Sequence, residues 1–552
     1  MISLPPLKSK EPFDVIIVSG EYYDDHPLSP VGIIARVLDD KGYSVGIIEK
    51  PKTKEDFTQL GVPKLFFGVT SGTVDSMLYN YSPLKRSRME DPHLFITEIP
   101  ERAVTFYCNK LREYFKGCTM VIGGVEASLR RFAHYDYWDN KVRKSILMDS
   151  RANILVYGSG EKQVLEIAER IENYQNRKQK DKEEKNKDKI DLHGIEGTCI
   201  LSKELDKDKK IELLPTFKEI VGEDFEAKKK FCAMQVKFSN TKNLAQEYDN
   251  NYIIQYKFPE YTTEELDWIY SLPYTRKLHP ESLLGMAKFS IVTHRGCIGR
   301  CNFCSITLHQ GDKIISRSEE NILNEIKSLT DKQKFPDFQG NIDDLGGPSA
   351  NMYGMDCATK CGKNCISCNK LNLTHARIID LMKRAREIKG IKNIFIRSGI
   401  RYDLALESKE YIKEIAEHHI SGCLKIAPEH FSPRVLNLMG KKNDRFEEFY
   451  GYFMELNKKL GKKQDLRYYF MIGHPGDDEG EVALLVRKLQ KLQNIEQFQL
   501  FTPTPMTDST CMYWTGMNPH TFEKVKVIYD FVGKKRLRDI MLKEIKNKED
   551  YN

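Results

Sequence analysis

The sequence predicts an α/β protein in two parts, a doubly wound parallel sheet followed by a partial six-stranded βα barrel. Three observations predict it. Short β-rich runs lead repeatedly into glycine and then into helical periodicity, the alternation of a parallel sheet covered by helices. That alternation lapses between about residues 174 and 286 and resumes at 289. At 552 residues the chain also exceeds what one ordinary core accommodates.

The first part, residues 1–195, opens with "DVIIV" (14–18) as a strand. "SPVGIIARVLDDKGY" follows, with Ile33, Ile34, Val37 and Leu38 at helical spacing. "SVGIIEKP", "KLFFGVTSG", "CTMVIGGVEAS" and "NILVYGSGEKQVLEIAERI" continue the series. Their glycines, Gly20, Gly72, Gly123–Gly124 and Gly158–Gly160, mark loops at the strands' carboxyl ends, where such sheets bind ligands. "GGVEASLRR" brings Glu126, Arg130 and Arg131 near that edge, either for an anionic substrate or as a salt-bridged helix start. The charged stretch 174–191 has too few apolar side chains to offset the entropy of ordering, and reads as a solvated loop.

Residues 196–286 read as a connector containing one amphipathic helix, opened by Thr262 and Glu265 at capping-box spacing. The barrel is expected over 287–515. Its candidate strands are "FSIVT", "GNIDDLGG", "NIFIRSG", "CLKIAPE", "RYYFMIGHPG" and "QFQLFTPTP", with active residues at their carboxyl ends. Ser316 and Glu319 form a second capping-box pair, and 516–552 reads as a basic helical tail.

The net charge of +7, from 86 basic and 79 acidic residues, is too diluted to identify a nucleic-acid partner. No export signal stands at the start, and runs such as "VIIV" are too short to cross a bilayer, so no membrane partner and a cytoplasmic location are expected. Seven of the 13 cysteines crowd between Cys297 and Cys368, which suits metal ligation in a reducing compartment better than disulfides.

The most informative stretch is "HRGCIGRCNFCSITLH" (294–309), where Cys297, Cys301 and Cys304 are spaced C-x3-C-x2-C. His294 could complete a zinc site of three sulfurs and one nitrogen. Zinc sites usually combine knuckles from two segments, however. Three thiolates on one loop suit an iron–sulfur cube, with one iron left open. "CATKCGKNCISC" adds Cys357, Cys361, Cys365 and Cys368, a second ligand set for an iron–sulfur cluster or zinc, with redox disulfides as the other option.

The pattern C-x3-C-x2-C after a first barrel strand, with Phe303 before the third cysteine, resembles the radical S-adenosylmethionine (SAM) superfamily. The resemblance implies a [4Fe–4S] cluster on Cys297, Cys301 and Cys304 whose open iron chelates SAM. It further implies reductive cleavage of SAM to a 5′-deoxyadenosyl radical, with electrons from a reductant such as flavodoxin or ferredoxin. Gly346–Gly347 resemble that superfamily's Gly-Gly-Glu motif, although Pro348 replaces the acid. Ser398 and Arg401 stand where relatives bind the SAM carboxylate or ribose, and Glu429 where a hydrogen bond to SAM is expected. "FMIGHPGDDEGE" resembles the loop over the adenine in radical-SAM methylthiotransferases, with Gly473, Pro475 and Gly476 shaping it and Asp477 where glutamate is usual.

Longer stretches, including "GGVEASLRRFAHYDYWDNKVRKSIL" and "LKIAPEHFSPRVLNLMGK", are similar to the YgiQ-type radical SAM family over residues 10–535. That likeness implies fold and cofactor and leaves the substrate open among RNA, protein and small molecules. The amino-terminal part resembles cobalamin-binding-like domains. Asp24, His26 and Ser29 approach the D-x-H-x-x-G pattern whose histidine ligates cobalt, but serine replaces the glycine, and cobalamin is not expected. Two other functions stay open: a cobalamin-dependent methyltransferase, and a non-catalytic iron–sulfur or zinc sensor.

Overall fold

The computed structural model describes residues 2–3, 12–88, 99–180, 190–357, 365–441, 445–490, 492 and 497–549. The chain divides into two compact units, Met1–Glu260 with Leu272–Ser282, and Tyr261–Ser271 with Leu283–Asn552.

In the first unit the strands Val45–Glu49, Val15–Ser19, Phe66–Thr70, Met120–Ile122 and Ile154–Val156 lie side by side in that order, all parallel. Taken in chain order this is 2-1-3-4-5, so the switch point falls between Val15–Ser19 and Phe66–Thr70. Val15 to Ser19 are all buried, as a strand covered on both faces requires. The helix Pro30–Asp40 starts at Ser29, whose side chain accepts from Gly32 N–H, and Pro30 occupies the first turn, where its missing donor costs nothing.

The connector expected over 196–286 is mostly part of this sheet. Thr198–Ser202, Asn251–Gln255 and Leu244–Tyr248 extend it as antiparallel strands. Their interior carries the buried amides Gln246 and Gln255, which bond Ala133 N–H and Arg131 Nε. Those polar positions broke the apolar pattern by which a strand is recognised. The helix Glu161–Lys180 continues through the first residues of the expected charged loop, and 181–189 lie outside the described residues.

In the second unit six parallel strands follow one another in chain order. Ile291–Val292 pairs with Leu345–Gly346, and Asn341–Ile342 with Asn393–Ile394. Ile400 bridges to Ile426, and Cys423–Glu429, Asp465–Ile472 and Gln497–Leu500 complete the series. Every one of the six expected strands is present in this partial barrel. Burial alternates along Asp465–Ile472, placing Leu466, Tyr468, Phe470 and Ile472 in the core. Surrounding helices present apolar stripes to that core, for example Ile322, Ile326 and Leu329. The carboxy-terminal helix Phe531–Glu549 buries Leu537 and Met541 in the same core.

Thr262 and Glu265 form the reciprocal capping bonds that their spacing predicts. Ser316 does not cap: it pairs in the short strand Ile315–Ser316, and Ser318 caps Glu319–Leu329 instead.

Candidate metal centre

The first barrel strand ends where Thr293 N–H donates to Gly346 O at 2.8 Å. His294–Arg295 then pairs back with Ile315–Ser316, closing the loop that carries the three cysteines. Gly296, at φ +85°, runs against Lys313, whose carbonyl would stand 1.8 Å from a Cβ there. Only glycine permits that closure.

Gly299 sits between two of the sulfurs. Its N–H donates to Cys297 Sγ at 3.4 Å, and Cys301 Sγ lies 3.9 Å from its carbonyl oxygen. Cys304 N–H bonds Cys301 O at 3.0 Å, folding the third thiol back towards the second. Burial pushes the Cys297 thiol up and the Cys304 thiol up to about 12, so a bound cation is needed to keep them as thiolates.

Among the described residues, no three His, Cys, Asp or Glu side chains gather as a single metal ion needs. The fit to an iron–sulfur cluster rests on donor chemistry: Cys297, Cys301 and Cys304 supply three soft sulfur donors from one loop. His294 does not join the sulfurs. Its ring is buried against Gly347, with Nδ1 2.9 Å from Thr293 Oγ1, and burial lowers its pKa to about 3. A Cβ on Gly347 would meet that ring at 2.6 Å, which gives the second glycine of Gly346–Gly347 its physical reason.

The segment between Cys301 and Cys304 is docked on the far side of the barrel mouth. Asn302 N–H and Nδ2 donate to Met439 O and Leu438 O, each at 2.9 Å, and its carbonyl accepts from Ser509 N–H at 3.0 Å. Phe303 packs on Val435, Leu436 and Met439 and meets the His474 ring edge-on at 6.4 Å. Phe303 therefore anchors the cysteine loop to the loop after the fifth strand. In that loop Gly473, at φ +72°, donates to Asp477 Oδ2 at 2.7 Å, and Gly476, at φ +92°, passes close to Leu438. The shorter acid at 477 suits this bond to its own loop.

Ser398 is held by Asp344, which accepts from its hydroxyl, from its N–H at 3.1 Å and from Arg397 N–H at 2.7 Å. Asp344 immediately precedes Leu345–Gly346–Gly347, so it ties the second and third strand ends together; sequence reasoning passed over it. Arg401 is 9% exposed and its fork does not stand open for a carboxylate. Nε and Nη2 bind Asp403 at 3.0 and 2.5 Å, while Nη1 points to Cys301 Sγ at 3.8 Å. Burial opposes its charge, and Asp403 more than offsets that, so its pKa is raised.

Glu429 ends the fourth strand after a bulge, with three residues from Ile426 opposing two on the neighbouring strand. Pro428, which has no N–H to give to the ladder, lies within it. The bulge leaves Glu429 at φ +67° and nine-tenths buried, with Lys441 Nζ 3.3 Å from Oε1. Burial raises its pKa, and Lys441 and Arg401 partly offset that. Sequence reasoning also missed Lys441, because nothing in "LMGKKND" signals a buried cation.

Of the second cysteine set, Cys361 lies outside the described residues. Cys357, Cys365 and Cys368 are half-buried, and Cys365 and Cys368 pack on the apolar cluster that Cys297 also touches, built from Ile298, Ile314, Met352, Met355, Leu371 and Leu404.

In the first unit the candidate ligand residues are committed to the fold. Glu126 accepts from Ser76 N–H and Val104 N–H, each at 3.0 Å, at two helix starts. Arg130 pairs with Asp75, and Arg131 is buried between Tyr157 and Phe238. His26 is buried, its Nδ1 accepting from Leu28 N–H at 3.0 Å and its Nε2 facing Arg276 at 3.1 Å. No helix among the described residues is long and apolar enough to cross a membrane.

Comparison with known proteins agrees with this architecture. The profile described as "Radical SAM N-terminal" matches residues 7–291, and that of the "Radical SAM superfamily" residues 291–489. A UPF0313 protein of Methanocella arvoryzae is 42% identical, over 98% of this chain and 91% of its own length. UPF0313 protein FN0734 of Fusobacterium nucleatum is 40% identical over 97% of each. Among solved structures, the radical SAM methyltransferase TsrM of Kitasatospora setae, described with cobalamin and a [4Fe–4S] cluster bound, superposes with a TM-score of 0.52. It is 14% identical, over 91% of this chain and 77% of its own, a likeness of fold.

Proposed function

The chain belongs to the UPF0313 (YgiQ-type) family of radical SAM enzymes, and from that premise we propose that Cys297, Cys301 and Cys304 hold a [4Fe–4S] cluster with SAM on its open iron. Such a cluster, once reduced, supplies the electron that splits SAM into methionine and a 5′-deoxyadenosyl radical, which abstracts hydrogen from a substrate. The observation that carries the reading is the grouping of three thiols on one loop at the first strand's carboxyl end, anchored through Asn302 and Phe303 to the loop after the fifth strand.

This chain's own residues do the positioning. The backbone of Gly346–Gly347 stands beside the loop to meet SAM's amino group, and Glu429 offers a buried carboxyl to SAM's hydroxyls. Gly473 and its bond to Asp477 shape the wall for the adenine. Ser398, fixed by Asp344, orients the third strand's loop. Cys357, Cys361, Cys365 and Cys368 supply a second set of soft ligands, for an iron–sulfur cluster or zinc. A low-potential donor of the flavodoxin or ferredoxin kind supplies the electron. We assign His26 no cobalt-ligating role, because its imidazole is buried and both of its nitrogens are in contact.

The test is an anaerobic reaction of reconstituted protein with dithionite and SAM. We expect 5′-deoxyadenosine, and none from Cys297→Ala. Cleavage-free protein with an intact cluster, still inactive after adding cell extract as a source of substrate, would favour a sensor instead.

A further inference from the structure

We propose that Arg401, held by Asp403, sets the reduction potential of the cluster rather than gripping SAM. This rests on the reading above that Cys297, Cys301 and Cys304 carry an iron–sulfur cluster. Arg401 is a buried cation aimed at a ligand sulfur, with Nη1 3.8 Å from Cys301 Sγ. The edge of the guanidinium that recognises carboxylates is already spent on Asp403, through Nε at 3.0 Å and Nη2 at 2.5 Å. One N–H side is left, and it faces the sulfurs.

The backbone is fixed with equal care. Asn351 Oδ1 accepts from Arg401 N–H at 2.9 Å, and Asn351 Nδ2 donates to Arg401 O at 3.0 Å. Gly299 provides the gap. A Cβ there would stand 3.0 Å from Arg401 Nη1, 3.3 Å from Cys297 Sγ and 3.8 Å from Cys301 Sγ. Bare Cα–H therefore lets the guanidinium and two sulfurs share one small space.

Reduction adds one electron and no proton, so it places one more negative charge beside this guanidinium; in the test that electron comes from dithionite. A buried cation with an N–H on a ligand sulfur favours the reduced form, since net charge and hydrogen bonds to sulfur govern these potentials. Asp403 works in the opposite sense by neutralising part of Arg401's charge. The pair is a graded device: the arginine raises the potential and the aspartate trims it.

The experiment is an EPR-monitored redox titration of the reconstituted full chain. Arg401→Gln is expected to lower the midpoint potential by about 59 mV, a tenfold shift in the one-electron equilibrium. Asp403→Asn is expected to raise it, and Gly299→Ala, which pushes the guanidinium off the sulfurs, to lower it. The opposite signs separate tuning from general disruption of the site, which would not raise the potential in one variant and lower it in another. Equal potentials in wild type and all three variants would overturn the proposal while leaving the cluster reading intact. A wild type that takes up no iron and sulfide would overturn both.

Discussion

Lys441 and Glu429 form a pair in which neither partner is more than about a tenth exposed. Removing one charge strands the other, so Lys441→Met should cost about 3 kcal/mol in urea unfolding. The double variant Lys441→Met/Glu429→Gln should recover most of that loss, since burial already pushes Glu429 towards its neutral form. A single-variant cost below about 0.5 kcal/mol would mean that the pair behaves as a surface contact. His134 gives the first unit a pH dependence. Burial, and then the Arg130 charge, lower its pKa to about 4 from an ordinary 6.5. The unfolded chain therefore binds the proton first on acidification. His134's contribution is whole above pH 6.5 and is lost as the pH falls towards 4, by at most about 1.4 kcal/mol per pH unit. His134→Gln should flatten the measured slope of stability against pH in that window by up to one proton. An unchanged slope would place the titration elsewhere.

At the scale of elements, the loops after the first two barrel strands are built as one object, because His294 fills the space that Gly347 leaves. Gly347→Ala should force the ring aside and cost about 1–3 kcal/mol, the usual range for overpacking. His294→Ala/Gly347→Ala should be less unstable than the two single losses added together, because they share one contact; simple additivity in thermal unfolding would contradict that coupling. Much of this level was legible beforehand. The barrel strands announced themselves because apolar residues recur at every second position, as Leu424 and Ile426 in "LKIA" and Phe470 and Ile472 in "FMIG", and those are the buried ones. What stayed hidden depended on partners far along the chain. Gln246 and Gln255 look like surface residues until Ala133 and Arg131 are beside them. Ser316 and Ser318 both suit a cap by type, and the strand pairing of His294–Arg295 decides between them. The cysteines could be read from spacing alone, whereas Arg401's commitment to Asp403 needed three dimensions.

Across the whole molecule, each unit treats its strand ends differently. In the first, Asp24 and Asp25 are occupied by the chain's own 272–282 segment: Asp24 accepts from His279 N–H at 2.8 Å and Ser282 Oγ at 2.6 Å, and Asp25 from Thr275 Oγ1 at 2.7 Å. Tyr22 stacks on His279 with ring centroids 3.8 Å apart. These residues close over themselves, which is a structural use of the stretch that resembles a cobalt-binding motif. The second unit leaves three thiols grouped in a loop with no fourth protein sulfur beside them in the motif, and the chemistry is assigned there. The most direct measurement is the metal content and EPR spectrum of anaerobically purified protein in which Cys357, Cys361, Cys365 and Cys368 are all replaced by serine. A cluster on Cys297, Cys301 and Cys304 would give a brown protein carrying about four iron and four sulfide per chain, with a reduced-state spectrum that changes when SAM is added. A colourless protein holding zinc on Cys297, Cys301 and Cys304, or a spectrum indifferent to SAM, would contradict it.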